Sequence, residues 1–133
     1  MKKLLLLLLF IPFVLFSQSL KENATIIKEN VPKLYNVIKA KAVEQWGDDH
    51  NMVLFEINLQ ADAFMYVSKT VMQRKDFDNL IWAKAITTWS DDPSLIRKLM
   101  QDPDNPLLFI YERIDWNMVK FEYDQQMKAK SEY

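Results

Sequence analysis

Residues 50–72 constrain the fold more than any other stretch: 23 positions with neither glycine nor proline, of which only Glu56, Asp62 and Lys69 are charged. At 100° per residue, Val53, Ile57, Phe64, Val67 and Val71 share one side with Met52, Leu59, Ala63 and Tyr66 beside them, while Asn58, Asp62 and Lys69 form one narrow strip. A helix with so thin a polar strip has to bury most of its circumference, which makes it the centre of a bundle. Glu56 and Gln60 fall on its apolar side. Past the first 17 residues the chain has one glycine, four prolines and little alternating pattern, so it reads all-α throughout.

The start of this helix recurs. Asp49-His50-Asn51-Met52-Val53-Leu54-Phe55-Glu56-Ile57-Asn58-Leu59-Gln60 returns as Asp115-Trp116-Asn117-Met118-Val119-Lys120-Phe121-Glu122-Tyr123-Asp124-Gln125-Gln126, with seven of twelve positions identical. Each copy begins at an Asp suited to an N-cap and sets a Glu and a Gln four residues apart on one face. A second echo joins Trp46-Gly47-Asp48-Asp49 to Trp89-Ser90-Asp91-Asp92. Gly47 stands where a left-handed helix end is wanted, and Pro93 follows Asp92 at the first helical position that proline prefers.

Around these anchors the other helices follow. Ser19 and Glu22 fit a capping box opening a first helix that ends near residue 29. Asn30 reads as the cap of a second helix, with Pro32 in its first turn and Leu34, Val37, Ile38 and Val43 at helical spacing as far as Trp46. Asp76 or Asp78 caps a fourth helix carrying Leu80, Ile81, Trp82, Ala85, Ile86 and Trp89. Residues 102–106 carry the strongest loop signal. Residues 107–111 open a helix or form a short buried strand; the spacing of Leu107, Ile110, Tyr111, Ile114, Met118 and Phe121 favours one terminal helix over 106–130, kinked near Asp115. The expected architecture is a single-domain, all-α bundle of five or six helices.

Residues 1–17 have the make-up of a cleavable signal peptide: Lys2 and Lys3, an apolar run of 13 residues over 4–16, and small residues for cleavage after Ser17 or Ser19. The run falls short of the about 20 residues a membrane-spanning helix needs, so contact with the membrane is expected only during export. Removing 17 of the 133 residues leaves 116, the domain 18–133, which suffices for one core. Without Lys2 and Lys3, 15 basic residues face 18 acidic ones, a net charge of about −3. The positive charges are dispersed among acids, which argues against nucleic acid as a partner. With no cysteine, neither disulfides nor a lipid-anchored Cys are possible, and the chain reads as a bacterial periplasmic or secreted domain held by its core alone.

Motifs for chemistry are missing. There is no Gly-x-Ser-x-Gly, no phosphate-cradling glycine loop and no His-Glu-x-x-His. His50 is the one histidine, and with Asp48 and Asp49 it supplies an alternative acid–base or metal site, against the plainer reading of both aspartates as capping residues. No metal or cofactor is expected. Glu56, Gln60, Glu122 and Gln126 form the candidate polar site. If both glutamates faced a common interior, two carboxylates would meet at low dielectric and need a cation, with Lys84, Arg97 or Arg113 as partners; otherwise they are rim residues or are satisfied by the glutamines. Trp46, Trp89 and Trp116 are candidate binding aromatics, Trp116 first among them because it lies off the row from Leu107 to Phe121. The leading expectation is a small exported non-catalytic binding protein, an inhibitor, immunity-type protein or accessory subunit, whose partner is another protein. The alternatives are a small-ligand binder with an interhelical pocket near Glu56 and Glu122, and an enzyme or metal protein using Asp48, Asp49 and His50.

Overall fold

A central helix organises the bundle, as its thin polar strip requires. The computed structural model describes residues 19–92, 94–101 and 111–133. The expected signal segment, Pro93, the 102–106 loop and the choice between helix and strand for 107–110 lie outside the described residues. The elements in order are α1 (Glu22–Asn30), α2 (Pro32–Trp46), α3 (His50–Tyr66) continuing into a π-helical turn (Val67–Val71), α4 (Asn79–Thr88), α5 (Leu95–Gln101) and α6 (Trp116–Ser131). The protein is an all-α bundle. Helix α3 packs against α1, α2 and α6, and α4 packs against α6. One core runs through them, with Ile27, Leu34, Ile38, Val53, Ile57, Val67, Trp82, Ile86, Val119 and Tyr123 all buried.

Three aspartates start three helices by accepting free backbone N–H groups. Asp49 accepts from Met52 N–H (3.2 Å) at α3, Asp78 from Leu80 and Ile81 N–H (both 3.0 Å) at α4, and Asp115 from Met118 N–H (3.1 Å) at α6. Between α2 and α3 the chain reverses at Gly47, whose φ of 55° and ψ of −120° match the first central position of a type II′ turn. The Asp49 N–H donates to the Trp46 carbonyl at 3.1 Å and closes it. A Cβ at Gly47 would meet nothing within 4 Å, so Gly47→Ala tests the backbone alone. It is expected to cost about 1–3 kcal/mol in a urea unfolding curve; an unchanged midpoint would show that the turn relaxes to another form.

Several expected helix starts are built differently. Ser19 does not cap α1. Asn58 on α3 instead holds the chain that enters α1: its Nδ2 donates to the Ser19 carbonyl (3.0 Å) and its Oδ1 accepts the Lys21 N–H (2.8 Å). Asp62, one turn on, accepts from Asn23 Nδ2 (3.0 Å), so the polar strip of α3 is the seat of α1. Asn30 ends α1 instead of capping α2, and its Nδ2 donates back to the Ile26 carbonyl at 2.8 Å.

The long terminal helix over 106–130 is also corrected: α6 begins at Trp116. Just before it, Ile114 forms an antiparallel bridge with Ser90, in which Asp91 N–H donates to Arg113 O (3.0 Å) and Asp115 N–H to Trp89 O (2.9 Å). Those groups would have been internal to a helix running through Asp115. The bridge makes the second corner unlike the first, and Asp92 leads into α5 by accepting from the Ser94 N–H (2.9 Å) and hydroxyl (2.6 Å).

Candidate functional site

Gln60 is buried in the contact between α3 and α6, and it uses every hydrogen-bonding site that a carboxamide has. Its Nε2 donates to Glu56 Oε1 (3.0 Å) and to Asp115 Oδ1 (2.8 Å). Its Oε1 accepts the Trp116 N–H (2.5 Å) and the Asn117 N–H (3.3 Å), two donors with no partner inside α6. Half of the candidate polar site therefore grips the start of α6.

Glu122 and Gln126 stand elsewhere. They line an open cleft of about 510 Å³ between α4 and α6, together with Ile81, Lys84, Lys130 and Tyr133. Glu56 and Gln60 are not part of that lining, so the two Glu–Gln pairs do not meet in one interior. Of the expected cationic partners, Lys84 lines the cleft, whereas Arg113 pairs with Glu44 and, at 3.3 Å, with Asp91.

The three candidate tryptophans separate. Trp116, expected to be the most available, is 2% exposed. Its ring meets Phe64 of α3 edge-on at 5.0 Å and Trp82 of α4 at 6.3 Å, and Trp82 continues to Phe77 and Tyr123. The expectation failed because the row was phased from residues 107–114; with the helix starting at Trp116, the buried row is Trp116, Val119 and Tyr123. The same shift leaves Tyr111 and Phe121 exposed, though both were placed on the apolar row. Trp89 is half-buried against the core, with its indole N–H buried and without an acceptor among the described residues. Trp46 is 36% exposed beside Val43 at 43%, one helical turn away on α2.

Trp46 belongs to an exposed run, 43–50, that includes Glu44, Asp48, Asp49 and His50. Asp49 is engaged as the α3 cap and Glu44 with Arg113. Among the described residues no group of three or more His, Cys, Asp or Glu is arranged to hold a metal ion, and no helix is long and apolar enough to cross a membrane. Asn58, absent from the candidate residues, left one signal in the sequence: an amide on a narrow strip of an otherwise apolar helix.

A clasp closes the far end of the α4–α6 cleft. Asp78 Oδ2 accepts from Lys130 Nζ at 2.7 Å while Oδ1 caps α4, and the Asp78 N–H donates to the Tyr123 hydroxyl at 3.2 Å. The Lys130 hydrogen bond, then the Ile81 N–H, holds the Asp78 carboxyl below its ordinary range; burial pushes the Tyr123 phenol up. A carboxyl depressed in the folded state stabilises the fold above its unfolded pKa and loses that contribution as pH falls through the folded value. Asp78→Asn keeps an N-cap and removes the charge. Its urea midpoint is expected to fall less on acidification than that of the wild type, with the remaining slope coming from groups such as Asp92, which the Ser94 hydroxyl depresses in the same direction. Equal acid slopes in the two proteins would rule the clasp out as a source of acid sensitivity.

No family model, no curated protein and no solved structure matches the chain.

Proposed function

We propose that the chain is a small exported, non-catalytic binding protein that works in the bacterial periplasm or outside the cell and meets another protein through the corner at residues 43–50. One observation carries this reading: Trp46 and Val43 lie exposed side by side, with Asp48, Asp49 and Glu44 around them. Tryptophan rimmed by polar groups is the composition of a binding hot spot, and a tight turn locked by Gly47 presents it on a rigid support. Asp49 already caps α3, which favours recognition over acid–base chemistry at this corner. The small-ligand alternative keeps only the Glu122 and Gln126 half of its pocket.

Trp46→Ala tests the reading. Half-exposed at the end of α2, it is expected to leave helical content and the unfolding midpoint close to wild type while abolishing recovery of the partner from a cell-envelope extract. Equal recovery with both proteins would rule out the corner as the binding site.

A further inference from the structure

The repeat builds a helix-docking contact once inside the molecule and presents the counterparts of its two halves again on the outside, where Lys130 is engaged by Asp78 and Gln126 is not engaged among the described residues. Within the chain, α6 starts on α3 at Gln60 and Phe64, which share a helical face with Glu56, Ala63 and, in the π-helical turn that follows, Val67. Gln60 grips Asp115, Trp116 and Asn117, Phe64 meets the Trp116 ring, and Ala63 and Val67 are buried. Moved along by the 66 positions that separate the two copies, this face becomes Glu122, Gln126, Ala129, Lys130 and Tyr133. Four of them on α6, and Tyr133 just past its end, line the open cleft beside α4. Gln126, the counterpart of the fully engaged Gln60, is exposed and makes no side-chain hydrogen bond among the described residues.

The opposite half is open too. Helix α3 starts with the same Asp-x-Asn-Met sequence and the same aspartate-to-methionine cap as α6. Among the described residues no glutamine grips Asp49 as Gln60 grips Asp115, and the corner around it is exposed.

We infer that the cleft between α4 and α6 receives the α3 start of a second copy of this chain, with Gln126 gripping Asp49 as Gln60 grips Asp115. The inference rests on the reading of the chain as a protein-binding module and names the partner. The contact joins two unlike surfaces, head to tail, so each added molecule leaves one of each surface free. The substitutions between the copies suit a contact that forms from water. Lys130 stands in the cleft at the position of Phe64, which meets the Trp116 ring inside the molecule, Tyr133 stands at the position of the buried Val67, and His50 takes the place of Trp116.

Sedimentation velocity over a concentration series tests this, with two substitutions on exposed residues. His50→Lys puts a cation in the first turn of α3 and sets it against Lys130, which stands where Phe64 meets the Trp116 ring. Gln126→Glu cannot donate to Asp49 and repels it. Wild type is expected to gain mass beyond a dimer as concentration rises, and each variant alone to stay monomeric. An equimolar mixture of the two should form a dimer and stop, because only one sound cleft and one sound α3 start remain. A wild type that is monomeric at every concentration, or a mixture no heavier than its components, overturns the inference. Trp46-dependent capture of a different protein would then leave the binding-module reading standing.

Discussion

Trp116→Ala is expected to lower the unfolding free energy by about 3–5 kcal/mol, the range for removing a buried tryptophan, against a total of about 5–15 kcal/mol for a domain of ordinary stability. Trp116 is the first residue of α6 and contacts helices on both sides, Phe64 of α3 and Trp82 of α4. Truncation leaves a cavity where three helices meet, and Trp82 cannot close it without giving up its own contacts to Phe77 and Tyr123. Alanine is the better helix former, so the local helix gains and the loss isolates packing. Trp116→Phe, which keeps an aromatic edge towards Phe64, is expected to recover a large part of it. Urea unfolding followed by circular dichroism measures both. A loss under about 1 kcal/mol for Trp116→Ala would mean that α6 does not depend on this junction, contrary to its burial.

The position of Trp116 also marks where the sequence stopped being readable. The aspartate caps Asp49 and Asp78 were legible because they act on backbone groups two or three residues away, whereas the caps expected at Ser19 and Asn30 do not form and Asp115 stood in conflict with a helix running through it. Helix α3 was legible because the apolar periodicity of residues 50–72 is interrupted by neither glycine nor proline. Trp116 was misplaced because its phase depends on where α6 begins, and the bridge between Ser90 and Ile114 settles that from another part of the chain. Asn58 and Gln60 show the same limit. The spacing put one on the polar strip and the other on the apolar face, but, Glu56 apart, their partners lie 37 to 57 residues away. Periodicity tells which way a side chain points, and it carries no information on what will be standing there. Trp46 and Phe121 make the converse case, apolar residues that helical spacing assigns to a face and the tertiary fold leaves exposed.

Gln60→Glu is expected to cause a loss whose size depends on pH, and this distinguishes it from any packing defect. The substitution preserves shape and the oxygen that accepts the Trp116 and Asn117 N–H groups, but replaces the amide that donates to Glu56 and Asp115. At neutral pH three carboxylates would converge on one buried point. An uncompensated buried charge of this kind costs about 3–5 kcal/mol. Burial and two like charges both favour the protonated form, so the introduced carboxyl titrates above the ordinary glutamate range in the folded protein. For an acid raised in the folded state, the deficit is smallest below the unfolded pKa and grows as pH rises through the folded value. A protonated carboxyl can also donate one of the two lost hydrogen bonds, and this narrows the gap further. The difference in urea midpoint between wild type and Gln60→Glu should therefore widen from acid to neutral pH. Gln60→Leu supplies the comparison: it strands the α6 N–H groups at about 1–3 kcal/mol for each buried group left unsatisfied, with little change across the same range. If the Gln60→Glu deficit were as flat as that of Gln60→Leu, Glu56 and Asp115 would not be facing position 60, and the grip that joins α3 to α6 would have to be made by packing alone.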